Sequence, residues 1–93
     1  MYVVIRRYDG NTQLGGRLAD SVDEIRSLMS AVPGFRSYYY VQGDSDAASV
    51  TVCDDRAGVE ESTRIAADWV RANAPDAVSG PPVVLAGEAV AAF

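Results

Sequence analysis

The 93-residue chain has the length of one domain, with 48% hydrophobic and 23% charged residues, an ordinary balance for a globular fold. Its net charge is −5 and all eight basic side chains are arginine, so there is no basic excess to attract nucleic acid or an anionic membrane surface. The absence of histidine and lysine excludes Ser-His-Asp and Cys-His nucleophile pairs, His-ligated zinc, a proximal-His haem and lysine Schiff bases.

The first predicted element is a strand over residues 2–8, YVVIRRY, which are β-branched and aromatic. This apolar run is too short, and too interrupted by arginine, for a signal peptide or a membrane span. With one cysteine and no internal disulfide, a cytoplasmic protein is expected. After the polar stretch DGNTQLGG, Leu18, Val22, Ile25, Met29 and Val32 recur at helical spacing, with Asp20, Asp23, Glu24 and Arg26 largely off the stripe. The spacing predicts one amphipathic helix, stopped by Pro33-Gly34. Residues 35–42 predict a second strand, DSDA (44–47) a turn, and residues 48–53 a third strand, together a β-hairpin.

Cys53 reads as a small buried hydrophobe at the end of that hairpin. Asp54 and Asp55 are candidate N-caps for a second helix, and Glu60 and Glu61 lie near its positive end. The helix runs to about Asn73 and is stopped by Pro75. Its buried stripe is Val59, Thr63, Ala66 and Val70, widened by Ile65 and Trp69. The loop APDAVSGPP then leads to a last strand over about residues 83–91. No repeat or linker divides the chain, so residues 1–93 form a single domain. Heavy use of Ala, Arg and Asp without Lys is the usage of a GC-rich bacterial genome.

The order β-α-β-β-α-β predicts an α+β, ferredoxin-like fold: a four-stranded antiparallel sheet with two helices on one face, because right-handed crossovers place both on the same side. Strict alternation puts Phe35, Ser37, Tyr39 and Val41 on one face of the second strand, and Arg36, Tyr38, Tyr40 and Gln42 on the other. The first set is expected beneath the helices. The second, with Arg36, Tyr38 and Tyr40, is expected to face outward. Neither set is polar, so the outward face needs a cover. The simplest cover is a second copy of the chain across a two-fold axis.

That topology, the PGF junction at residues 33–35 and the stretch SVTVCDDRAGVEES (49–62) resemble the dimeric α/β-barrel superfamily, most nearly its antibiotic biosynthesis monooxygenase-like group. The resemblance covers nearly the whole chain. It implies two sheets closing into a barrel with helices outside, and activities that include cofactor-independent oxygenation of polyphenols and quinols, and haem degradation. The haem-degrading branch uses an asparagine in strand one, a tryptophan in helix two and a histidine ligand. Trp69 is a candidate for the tryptophan, but strand one offers Arg6 and Arg7 and the histidine is missing, so haem degradation is not expected.

The polyphenol oxygenases use tryptophan, asparagine, tyrosine and arginine as donors around an aromatic substrate. By that resemblance Trp69, Tyr39 and Asn73 are the candidate catalytic residues, and Tyr39, Ile65 and Trp69 the candidate pocket. Such chemistry needs water excluded, the ring held and an oxyanion stabilised, with no cofactor. No metal is expected either, because helix-start capping accounts for Asp54, Asp55, Glu60 and Glu61. Two readings stay open: an oxygenase-like protein acting on a small aromatic or quinol, and a non-catalytic homodimeric module that binds a small molecule or another protein.

Overall fold

A computed structural model of the chain describes residues 1–9, 13–78 and 80–93. Residues 10–12 of the polar stretch after the first strand, and Ser79 of the loop before the last, lie outside the described residues. The elements are β1 (Tyr2–Asp9), α1 (Gln13–Ala19), α2 (Val22–Ser30), β2 (Phe35–Gln42), β3 (Asp46–Cys53), α3 (Arg56–Asn73) and β4 (Val83–Glu88). The strands form one sheet in the order β2-β3-β1-β4, every neighbour antiparallel. This is the ferredoxin-like arrangement the element order implied. The hairpin closes through a hydrogen bond from the Gly43 N–H to the Asp46 carbonyl, 2.8 Å. β3 therefore begins two residues before the expected strand start at Ala48, and β4 stops at Glu88 rather than near residue 91.

The first helical stretch is two helices and not one. The Ser21 N–H donates to Leu18 O and the Ile25 N–H to Ser21 O, each at 3.0 Å, so one helix ends and the next starts at Asp20-Ser21. Short polar side chains there compete for backbone groups and favour a break. The apolar spacing runs across the junction unbroken, but Val22 is 48% exposed at the start of α2, while Leu14, Ile25, Met29 and Val32 point inward. After Val32 the chain turns at Gly34 with φ +76°, where a β-carbon would also press on Asp54 at 3.1 Å. Only glycine suits both demands.

α3 starts directly on the end of β3. Asp55 caps it by accepting from the Gly58 N–H at 3.1 Å. At Gly58 a β-carbon would lie 2.8 Å from Cys53 Cβ and 3.0 Å from Pro33 O, so the helix can approach the strand this closely only through glycine. Helices and sheet enclose two adjoining clusters, one around Tyr8, Leu14, Met29 and Trp69, the other of Val4, Val32, Cys53 and Val59. Burial of each large aliphatic side chain contributes about 1.5–3 kcal/mol.

β2 corrects the expectation from alternation. Phe35 pairs with Cys53 and Ser37 with the next residue back, Val52, so Arg36 is an extra residue in a β-bulge. Phe35 is therefore followed on the helix side by Tyr38 and Tyr40, which pack against the core. Tyr39 is 59% exposed on the opposite face, beside Val41. The expected placement of Tyr39 beneath the helices, and of Tyr38 and Tyr40 outside, is reversed by one inserted residue. Arg36 itself is exposed and paired with Asp54. On the open face, register aligns Tyr39, Val50, Ile5 and Leu85 in one row across all four strands.

Candidate functional site

β1 turns Val4, Arg6 and Tyr8 toward the helices, and all three are buried. Arg6 is only 1% exposed. Its Nε donates to Ser49 Oγ at 2.9 Å and its Nη2 to Thr51 Oγ1 at 2.6 Å, both on β3. Its Nη1 donates to Thr63 Oγ1 at 2.9 Å and Ser62 Oγ at 3.4 Å, both on α3. One guanidinium thus ties two strands and a helix together. Among the described residues, none of the ion pairs includes it. Burial pulls its pKa below the usual arginine value, while Tyr8, Tyr38 and Cys53 act in the opposite sense. Burial likewise pushes the Tyr8 and Tyr38 hydroxyls up, and the nearby Arg6 charge pulls both down.

A cleft opens beside this cation because the helices do not cover the whole sheet. α2 lies against β2, and α3 against β3 and β1. Among the described residues no helix packs extensively on the inner side of β4, and Val84 is 46% exposed although its register partner Arg6 is buried. The resulting cleft has a volume of about 450 Å³, within the ~300–1,000 Å³ range of small-molecule sites. Arg6, Tyr8 and Val84 form its floor and Thr63, Ala67 and Val70 of α3 one wall. Pro75, Val78, Pro81 and Pro82 contribute the other wall. Most of that surface is apolar; its polar side chains are Arg6, Tyr8 and Thr63, with the exposed Arg71, paired to Asp68, also on the lining.

The residues expected to form the site do not gather there. Trp69 faces α2, 5% exposed, and its indole N–H donates to Glu24 Oε1 at 2.7 Å. The void beside it in the core is about 20 Å³, room for roughly one water. Asn73 donates from Nδ2 to the Trp69 carbonyl at 3.0 Å, a helix-end role. Trp69, Ile65 and Asn73 do share a surface hollow with Glu24, Leu28, Arg64 and Asp68, but Tyr39 lies across the sheet from it. Tyr38 and Tyr40 instead line a second cleft, about 480 Å³, between α1–α2 and β2.

Arg6 stands outside the candidate site expected from the sequence, whereas the structure sets it beside this cleft. The available clue was an arginine in phase with Val4 and Tyr8, opposite a strand whose inward positions include Ser49 and Thr51. For a metal, the described residues offer no cluster of three or more His, Cys, Asp or Glu. Asp54 pairs with Arg36, Asp55 caps α3 and Glu61 pairs with Arg64.

No protein-family model matches the sequence, and neither does any curated protein. Solved structures do match. A protein of unknown function from Nitrosomonas europaea is 25% identical with a TM-score of 0.75, over 99% of this chain and 91% of that one. A monooxygenase from the ActVA-Orf6 gene of Streptomyces coelicolor, solved with nanaomycin D, is 14% identical with a TM-score of 0.74, over 99% and 89%. A variant of MhuD, solved with two manganese protoporphyrin IX molecules per active site, is 16% identical with a TM-score of 0.73, over 100% and 98%. Further solved neighbours carry the description antibiotic biosynthesis monooxygenase. The chain has the fold of these antibiotic biosynthesis monooxygenase-like proteins.

Proposed function

We propose that this chain is an oxygenase-like protein that takes a small aromatic or quinol into the cleft between α3 and the inner side of β1 and β4, using no cofactor. The observation that carries the reading is the cleft itself: apolar walls around a floor where the Thr63 hydroxyl lies over the buried Arg6 charge. The monooxygenase solved with nanaomycin D, which shares the fold, supports the same class of chemistry. An ionised hydroxyarene passes an electron to dioxygen, and the radical pair joins at a ring carbon to give a peroxide. Cleavage of its O–O bond leaves one oxygen as a new carbonyl. The other departs as water, carrying the ring hydrogen and the phenolic proton. The chain's share of this work is to hold the ring, exclude water and place a fixed positive charge where the oxyanion forms.

We assign the open sheet face to a second copy of the chain, because the row Tyr39, Val50, Ile5 and Leu85 is apolar across all four strands. The test of activity is oxygen uptake with hydroxynaphthalenes, anthrones and quinols. Uptake above the uncatalysed rate, abolished by Ala67→Trp, which fills the cleft from its α3 wall, is the expected result. No uptake across the panel, or uptake untouched by that substitution, removes the reading. The second reading, a binding module without turnover, is favoured by one observation. The indole N–H of Trp69 and the amide of Asn73 already serve Glu24 and the helix end. That module would bind the same ligands without consuming oxygen.

A further inference from the structure

We infer that the cleft beside α3 selects flat aromatic ligands bearing an anionic oxygen, an arenolate or arenecarboxylate, with Arg6 as the counter-ion and Thr63 as the adjoining donor. The inference rests on the cleft being the ligand site and specifies what that site takes. Arg7, Arg17, Arg26, Arg36, Arg64 and Arg71 each pair with a carboxylate although their side chains are largely exposed. Arg56 bonds the Tyr2 hydroxyl. The one fully buried arginine is surrounded by neutral hydroxyls instead, in a chain with thirteen acidic residues to draw on.

Hydroxyl dipoles satisfy the donors of a buried cation but leave its charge unneutralised, a state that a bound anion relieves. The charge also reaches the cleft, since Arg6 and Thr63 both line it. Thr63 Oγ1 accepts from Arg6 Nη1, which polarises its own O–H. The Ser62 proton is committed to Val59 O at 2.8 Å, whereas among the described residues nothing takes the Thr63 proton. A ligand oxygen at the cleft floor therefore meets the polarised Thr63 hydroxyl with the buried guanidinium charge directly behind it. The rest of its body meets valine, alanine, proline and Tyr8, and the other cation on the lining, Arg71, is already neutralised by Asp68. A neutral aromatic gains the apolar contact alone; an anion gains both.

The test compares 2-naphthoate with 2-naphthamide, matched in shape and differing in charge, by equilibrium dialysis against the full chain. The wild-type protein should bind the carboxylate at least about ten times more tightly, the ratio that one charge-assisted hydrogen-bonding site gives. Arg6→Met should bring the two within about twofold, and Thr63→Val should lower the preference about threefold or more. A second readout is 4-nitrophenol, whose phenolate is coloured and whose phenol is not: its apparent pKa should fall on binding to wild type and return toward the free value in Thr63→Val.

Circular dichroism identifies variants that fold. Should Arg6→Met fail to fold, Arg6→Lys and Thr63→Val decide, because a point charge without the planar fork should also weaken the preference. Equal binding of the two naphthyl probes by wild type overturns the inference, as does a preference unchanged in every folded variant. Oxygen uptake without anion preference sinks this inference and leaves the oxygenase. Anion preference without oxygen uptake does the reverse. Binding of neither probe removes the cleft as a ligand site.

Discussion

Trp69 lies between α2 and α3 with its N–H on the Glu24 carboxylate. Trp69→Phe keeps the ring packing and deletes that bond, so urea denaturation should show a loss of about 1 kcal/mol. Naphthoate affinity should not change, because the indole lies outside the α3 cleft; a large drop would return Trp69 to the site. Tyr40 answers to pH. Burial first, then Tyr38 and Tyr8, pushes its hydroxyl from 10.0 up to about 12. The unfolded chain therefore gives up this proton before the folded one does. The stabilisation is complete below about pH 10 and is lost as pH climbs toward 12. Denaturation midpoints should fall across that window, less steeply in Tyr40→Phe; identical profiles would show that the hydroxyl is not shielded. The roles of Cys53 as a buried hydrophobe and Asp55 as a cap were legible from residue type and immediate neighbours. The Arg6 cage was not, because its four acceptors lie 43 to 57 positions away along the chain. Only the fold brings them together.

The elements divide in the same way. α3 and the hairpin strands follow local periodicity and caps, and their bounds lie close to expectation. The helix break at Asp20-Ser21 was hidden because the apolar spacing passes through it unchanged. The bulge was hidden because its signal is a register against Val52 and Cys53, which no pattern inside β2 records. It makes a sharp prediction. Deleting Arg36 places Phe35 next to Ser37, whose partners Cys53 and Val52 are already consecutive, so the ladder becomes regular and every tyrosine keeps its face. The lost Arg36–Asp54 pair is exposed and worth about 0–1 kcal/mol. The deletion variant should melt cooperatively and keep the raised tyrosine titration. An unfolded product would mean that the bend of the bulge is needed to seat β2 under α2.

For the whole molecule, topology was the most legible level, since element order and crossover handedness leave few arrangements. Which side of β2 faced the helices could not be settled from topology, and the cleft could not be foreseen at all. It exists because the helical layer is narrower than the sheet. The open face makes the assembly testable. Leu85 is 67% exposed in the single chain, so Leu85→Asp should barely change the stability of that fold. In a sheet-to-sheet dimer the same carboxylate is dry and unpaired. Light scattering at micromolar concentration should give twice the chain mass for wild type and the single mass for Leu85→Asp. A variant still at twice the mass would place the interface elsewhere. Tyr40→Asp would be a poor probe of assembly, because it puts the charge against the core of the single chain.

The bulge at Arg36 gives β2 a change of phase. Before it an odd-numbered residue faces the helices; after it the even-numbered ones do. A bulge-free relative laid alongside this strand without a gap matches each residue beyond Arg36 to one of the opposite face. A single gap at Arg36 restores the correspondence. In descent, gain or loss of one codon at this point leaves both flanking segments facing as they did, altering only the local twist and the pair with Asp54. Length can drift here almost silently, whereas beyond Tyr38 the same event would turn the strand inside out.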